Sequence, residues 1–301
     1  MFGRAAVIVF VMITGYFCVE KIYTINLQKI LWIVAELYLY SIIIAFFSII
    51  IGEEGIGIKM ILRTFLPIVF GNWFVVNYII LMFLMPYLNK LLNRIEDGEW
   101  NRFVGVMLFF CSVVPTFTGY YWKYSNLDFM LLGYILGAYI KKKKIERKKS
   151  FYIIGMIVSS VLLVMSVLLI DCVGVVLNNN TLIHNATIFC ECNSILAIVY
   201  AFFLFMTFKN LNVDNNVMLN NRIIRAFART TLGIYILSDN WFCQTWLWKK
   251  VFPNVNYMQN PYLHVWVKVL IIVIICASID IVRYECVEKN LKRYFCKKWR
   301  K

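Results

Sequence analysis

Residues 30–51 read ILWIVAELYLYSIIIAFFSIII, a run of 22 in which Glu36 is the lone charged side chain. A helix rises 1.5 Å per residue, so about 20 apolar residues cross the hydrocarbon core of a bilayer. The run reads as a spanning helix, and it has company on both sides. Apolar stretches bounded by charged or turn residues recur at 3–19, 72–92, 103–119, 126–140, 151–172, 188–208, 230–248 and 263–284. Composition agrees, since 61% of the 301 residues are hydrophobic where soluble domains hold about 45–50% apolar residues, and mean hydropathy is +0.72. The expected fold is all-α, a polytopic integral membrane helix bundle of about nine transmembrane helices forming one domain over residues 1–301. Ile58 to Phe70, with Arg63 and Pro67 inside it, is too short and broken to span. It reads as interfacial or re-entrant, and such backbone survives at membrane depth only when buried in protein or facing a water-filled cavity.

Charge is lopsided, 31 Lys and Arg against 16 Asp and Glu, for a net +15. In a soluble chain that excess suggests nucleic acid; in a membrane chain it suggests cytoplasmic loops. Nine alternating spans put 24 of the 31 basic residues on one side, among them the Lys141 to Lys149 cluster. That bias predicts a cytoplasmic C-terminus and an N-terminus outside, with no nucleic-acid partner. An N-out first span starting beside Met1 has no cytoplasmic positive charge ahead of it, so an additional helix upstream is expected. A signal peptide fits poorly, because bulky Tyr16 and Phe17 stand where a cleavage site needs small side chains.

Polar groups inside lipid are costly and mark function unless a partner explains them. Ser238, Asp239 and Asn240 fall consecutively midway through the eighth apolar stretch, the strongest anomaly in the chain. Glu36, between Trp32 and Tyr40 at helical spacing, is either half of a structural pair or a functional acid. Asp280 and Arg283 have the spacing of an intrahelical ion pair. Trp73 and Asn77 open the third span, and Pro86 is expected to break its inner half; Trp73 is either an interfacial anchor or part of a site. His184 and His264 fall in or beside predicted outer loops, with no Ser, Asp or Cys partner evident in sequence. Cys18, Cys111, Cys243 and Cys276 sit in apolar runs as small hydrophobes, and Cys190-Glu191-Cys192 is a lone C-x-C, so no metal is assigned. Two glycosylation-type triplets, at Asn179 and Asn185, carry little weight. The chain has no P-loop, no Gly-x-Gly-x-x-Gly, no Gly-x-Ser-x-Gly and no His-Glu-x-x-His.

Three stretches in order resemble the membrane-bound acyltransferase family 3, which includes polysaccharide O-acetyltransferases. Phe2-Gly3-Arg4 through Ile13-Thr14-Gly15-Tyr16-Phe17 is similar to its second helix. Asn72-Trp73-Phe74-Val75-Val76-Asn77-Tyr78 through Met85-Pro86-Tyr87-Leu88-Asn89-Lys90 resembles its Trp-Phe and Pro-x-Leu-Asn-Lys helix. Thr231-Leu232-Gly233-Ile234-Tyr235-Ile236-Leu237-Ser238-Asp239-Asn240 resembles its late Gly-Ile-Tyr-Leu helix, and Leu132-Gly133-Tyr134 fits a weaker position. The resemblance starts at the family's second helix, so the His that the first helix carries has no counterpart here, in line with the helix expected upstream. Ser238 stands where many relatives have His.

The resemblance implies transfer of an acyl group, acetyl above all, from acyl-CoA as donor substrate to a hydroxyl of a cell-surface or lipid-linked polysaccharide. No bound cofactor is implied; the partners are membrane lipid, acyl-CoA and the glycan acceptor. The catalytic residue is unassigned, with Asp239, Asn240 and Ser238 as supporting candidates that orient a catalytic group or the acceptor. Arg4 would bind the donor or organise the core, Arg63 and Trp73 would line the outer mouth, and Asn77, Tyr78 and Glu36 complete the substrate-binding candidates. Many spans and a basic inner face fit a lipid-linked glycan flippase or exporter equally well, and an inactive relative is a third reading.

Overall fold

The computed structural model describes residues 2–21, 24–51, 57–70, 72–118, 126–211, 221–240, 242–243, 246 and 261–290. Among them there are helices and no strands. In chain order these are α1 (Phe2–Cys18), α2 (Leu27–Ile51), α3 (Ile58–Phe65), α4 (Pro67–Phe70), α5 (Trp73–Leu92), α6 (Trp100–Thr118, with a π turn at Phe109–Val113), α7 (Asn126–Lys143), α8 (Lys149–Val176), α9 (Asn180–His184), α10 (Ile195–Lys209), α11 (Arg222–Ser238) and α12 (Pro261–Arg283). By length and hydropathy α2, α5, α6, α8 and the stretch Asn180–Lys209 can each cross a membrane among the described residues, and α1 is a shorter apolar helix. Lipid forces this outcome, because a backbone without water must bond to itself. α8 shows the consequence most plainly. Only Tyr152, Ser159, Leu163, Val167 and Gly174, one stripe of its surface, are buried, while Ile154, Val158, Val161, Leu162, Leu168 and Leu169 stand exposed.

The chain divides into two compact units, one of residues 1–27 and 77–212, the other of 28–76 and 213–301. In the first, α7 is central: ten of its eighteen residues are buried, and α1 packs along it. Gly133 and Gly137 lie one turn apart on α7 and face α1, and Gly15 of α1 meets α7 at Tyr134. A Cβ on Gly15 would run into the Tyr134 carbonyl, and one on Gly137 into the Met12 backbone. Two helices with such gaps approach backbone to backbone, which is how packing replaces the absent hydrophobic drive in lipid. The end of α1 is closed by α5. Asn89, fully buried, donates to the Cys18 carbonyl at 2.9 Å and accepts from the Tyr134 hydroxyl at 2.7 Å. Asn93, one turn on, donates to the Val19 carbonyl at 2.9 Å. These are carbonyls that a helix terminus leaves without intrahelical donors. α10 packs against α1 and α8, with Tyr16 against Phe205 at 5.6 Å between ring centroids.

In the second unit, polar contacts tie α2 to α12. Arg283, at the end of α12, bonds Asp280 Oδ1 through Nε at 2.7 Å, Glu36 Oε1 of α2 through Nη2 at 3.0 Å, and Glu288 Oε2 through Nη1 at 2.7 Å. The Tyr40 hydroxyl donates to Asp280 and accepts from Arg283 Nε at 3.1 Å. Asp280 is 1% exposed and Arg283 11%, and Gly233 of α11 leaves the space that the Asp280 carboxylate fills.

Two expectations change. α5 runs unbroken through Pro86; surrounding protein in a membrane bundle can satisfy the backbone group that proline frees. α11 begins at Arg222 and ends at Ser238, so Asp239 and Asn240 lie just past a helix end instead of mid-helix. Three consecutive short polar side chains compete for backbone groups and favour a stop. Ile58 to Phe70 is helical in two pieces, α3 and α4, parted at Leu66 before Pro67.

Candidate functional site

The stop at Ser238 builds the site in the second unit. The first residue beyond it, Asp239, accepts the Tyr235 hydroxyl on Oδ2 at 2.9 Å. Tyr235 is one turn back on α11, the i, i+4 spacing that stacks side chains on one helix face. The same oxygen accepts Asn72 Nδ2 at 3.1 Å. Asn72 immediately precedes α5, and its Oδ1 takes the backbone N–H groups of Phe74 and Val75, both at 3.1 Å. The Tyr235 ring meets Phe74 edge-on, 5.0 Å between centroids. Asn240 turns the chain onward, its Oδ1 accepting the Phe242 N–H at 3.0 Å. Ser238 bonds weakly back to the Tyr235 carbonyl at 3.4 Å.

Asn240 also lines a small polar cavity with Ser41, Ile44, Ala45 and Ser48 of α2 and Arg63 and Thr64 of α3. Its volume of about 10 Å³ is on the scale of one water molecule or one hydroxyl. Five of the seven lining residues, Arg63, Asn240, Ser41, Ser48 and Thr64, thus carry polar side chains. Such an arrangement can hold a hydroxyl or a developing oxyanion by hydrogen bonds. Among the described residues no group of His, Cys, Asp and Glu could hold a metal ion.

A family model described as an acyltransferase domain matches residues 1–281. The chain belongs to acyltransferase family 3. It is a multi-pass membrane acyltransferase. No curated protein and no solved structure matches it.

Within this family-3 acyltransferase the sequence-derived candidates separate. Asp239, Asn240 and Ser238 lie at the end of α11, and Arg63 joins Asn240 at the cavity. Trp73 follows Asn72 in the first turn of α5 and packs edge-on against Phe74 at 6.0 Å. Glu36 belongs to the Arg283 network. Arg4, Asn77 and Tyr78 belong to the first unit. Arg4 forms an ion pair with Glu191 in the segment before α10. Tyr78 is buried, its hydroxyl 3.4 Å from the Thr14 hydroxyl and its ring edge-on to Phe10 at 5.3 Å. Asn77 is half-buried beside it on α5. Sequence reasoning passed over Asn72, Tyr235, Ser41, Ser48 and Thr64 as site residues. Two had a legible signal: an Asn just before an apolar run is an N-cap, and Tyr235 stands four residues from Asp239 on one helix.

Proposed function

We propose that this acyltransferase moves an acyl group, acetyl in the first instance, from acyl-CoA to a hydroxyl of a cell-surface or lipid-linked polysaccharide. The carrying observation is the Asp239 carboxylate, held by donors from two helices, followed directly by Asn240 at a hydroxyl-sized polar cavity that Arg63 also lines. In the transfer the acyl–sulfur bond breaks and an ester C–O bond forms, while the proton of the acceptor hydroxyl ends on the released thiol. The reaction needs a base for that proton and donors for the oxyanion. Asp239 is the acceptor that orients the incoming hydroxyl or the group that deprotonates it. Arg63 and Asn240 are the donors facing developing negative charge. Trp73 lines the approach to them. Arg4, already paired with Glu191, organises the first unit. The excess of Lys and Arg on alternate loops supports a cytoplasmic C-terminus, which reporter fusions at Lys209 and Lys301 would test, both being expected inside.

Deleting the gene should lower the acetyl-ester content of the surface glycan, and re-expression should restore it. Unchanged esters with accumulation of unexported lipid-linked precursor would overturn the transferase reading in favour of transport.

A further inference from the structure

Asn72 is tied to Asp239 across 167 positions of sequence by a bond that a helix cap alone does not need. We infer that Asn72 is a positioning residue: by capping α5 with its amide oxygen it aims its amide nitrogen at Asp239 and fixes that carboxylate for acyl transfer. The inference rests on the role given to Asp239 above. An amide carries its acceptor and its donors on opposite branches of one rigid plane. Once Oδ1 is committed to the Phe74 and Val75 N–H groups, the direction of Nδ2 is set by the backbone of α5, and it meets Asp239 Oδ2 at 3.1 Å. Tyr235 reaches the same oxygen from α11, and its ring rests on Phe74, one of the two residues whose N–H Asn72 caps. Two helices therefore set one carboxylate oxygen, each through a rigid planar group. Ser, Thr or Asp would cap a helix as well as Asn; none of them supplies a second, opposed donor. Asp at 72 would set carboxylate against carboxylate.

That difference separates cap from positioning. Asn72→Ser keeps an N-cap acceptor and loses the donor, Asn72→Asp keeps the acceptor and adds repulsion, and Asn72→Ala loses both functions. The full chain in native membranes would be assayed for labelled acetyl transfer, with kcat and donor KM resolved separately. Thermal unfolding would be followed beside it. The carboxylate stretch of Asp239 would be isolated as the infrared difference against Asp239→Asn. Asn72→Ser is expected to unfold like the unaltered protein and to keep its donor KM, while kcat falls about 10- to 100-fold, the scale of a small misplacement of a reacting group. Its Asp239 band is expected to shift. Asn72→Asp should lose more kcat than Asn72→Ser, and Asn72→Ala should lose stability as well. A kcat for Asn72→Ser within twofold of the unaltered chain, with an unmoved Asp239 band, would overturn the inference and leave Asn72 a cap. If deleting the gene leaves the acetyl esters of the surface glycan unchanged, the acyl-transfer reading fails and takes the catalytic meaning of the contact with it, and a shifted band then reports geometry alone.

Discussion

Where α1 crosses α7, Gly15 and Gly137 remove side chains so that two backbones touch; where α2 meets α12, one guanidinium gathers three carboxylates. Both solve the problem of holding helices together when lipid is as apolar as their surfaces. The first solution is shape, and it tolerates no added volume. The second is charge, and it tolerates no lost partner, because a buried ion pair that loses one member leaves the other uncompensated. The candidate chemistry, Asp239 with Asn72, Tyr235, Asn240 and Arg63, lies in the same unit as the Arg283 network. A scaffold that already satisfies buried polar groups is the place where a further one is least costly.

The contrast can be broken by substitution. Arg283→Leu should have the largest effect, about 3–5 kcal/mol lost in reversible unfolding, with Arg283→Lys intermediate because an ammonium cannot reproduce the fork of bonds to three carboxylates. Gly137→Val should cost about 1–3 kcal/mol or more from overpacking, read by the same assay. If it were harmless, close approach would not be what holds α1 on α7. Asn89→Leu removes the donor to Cys18 and the acceptor for Tyr134, leaving buried polar groups unsatisfied, and should cost about 1–3 kcal/mol. Gly105→Ala sharpens the contrast from the other side. Nothing lies within 4 Å of a Cβ there, so the change should be neutral or stabilise by up to about 1 kcal/mol.

The helices were legible because lipid allows only a narrow solution: the run from Ile30 to Ile51 falls within α2, and the paired spacing of Asp280 and Arg283 forms the ion pair it suggested. Glu36 was legible only as a dilemma, since its partner Arg283 lies 247 residues away, a distance no local pattern encodes. The end of α11 was missed because hydropathy averages over a window in which three polar residues are outvoted by their neighbours. Asn72 was missed for a different reason. Its neighbours Trp73 and Asn77 looked more like site residues, whereas its role as a cap was local and its bond to Asp239 was not. Arg4 drew attention through the family resemblance, and the Glu191 that pairs with it lies far along the chain. Asn89 was visible only as a motif letter until the Cys18 carbonyl and the Tyr134 hydroxyl gave it two bonds.

The central claim, that the Asp239 cluster is where acyl transfer occurs, is tested most directly by Asp239→Asn in membranes supplied with labelled acetyl-CoA and the surface glycan. The substitution keeps size and one acceptor oxygen for Asn72 and Tyr235, and removes the charge. At equal amounts of folded protein, the account predicts a loss of transfer of about 100-fold or more, the range that a positioned proton-handling group contributes, with unfolding little changed. Transfer at the unaltered rate by Asp239→Asn would contradict it.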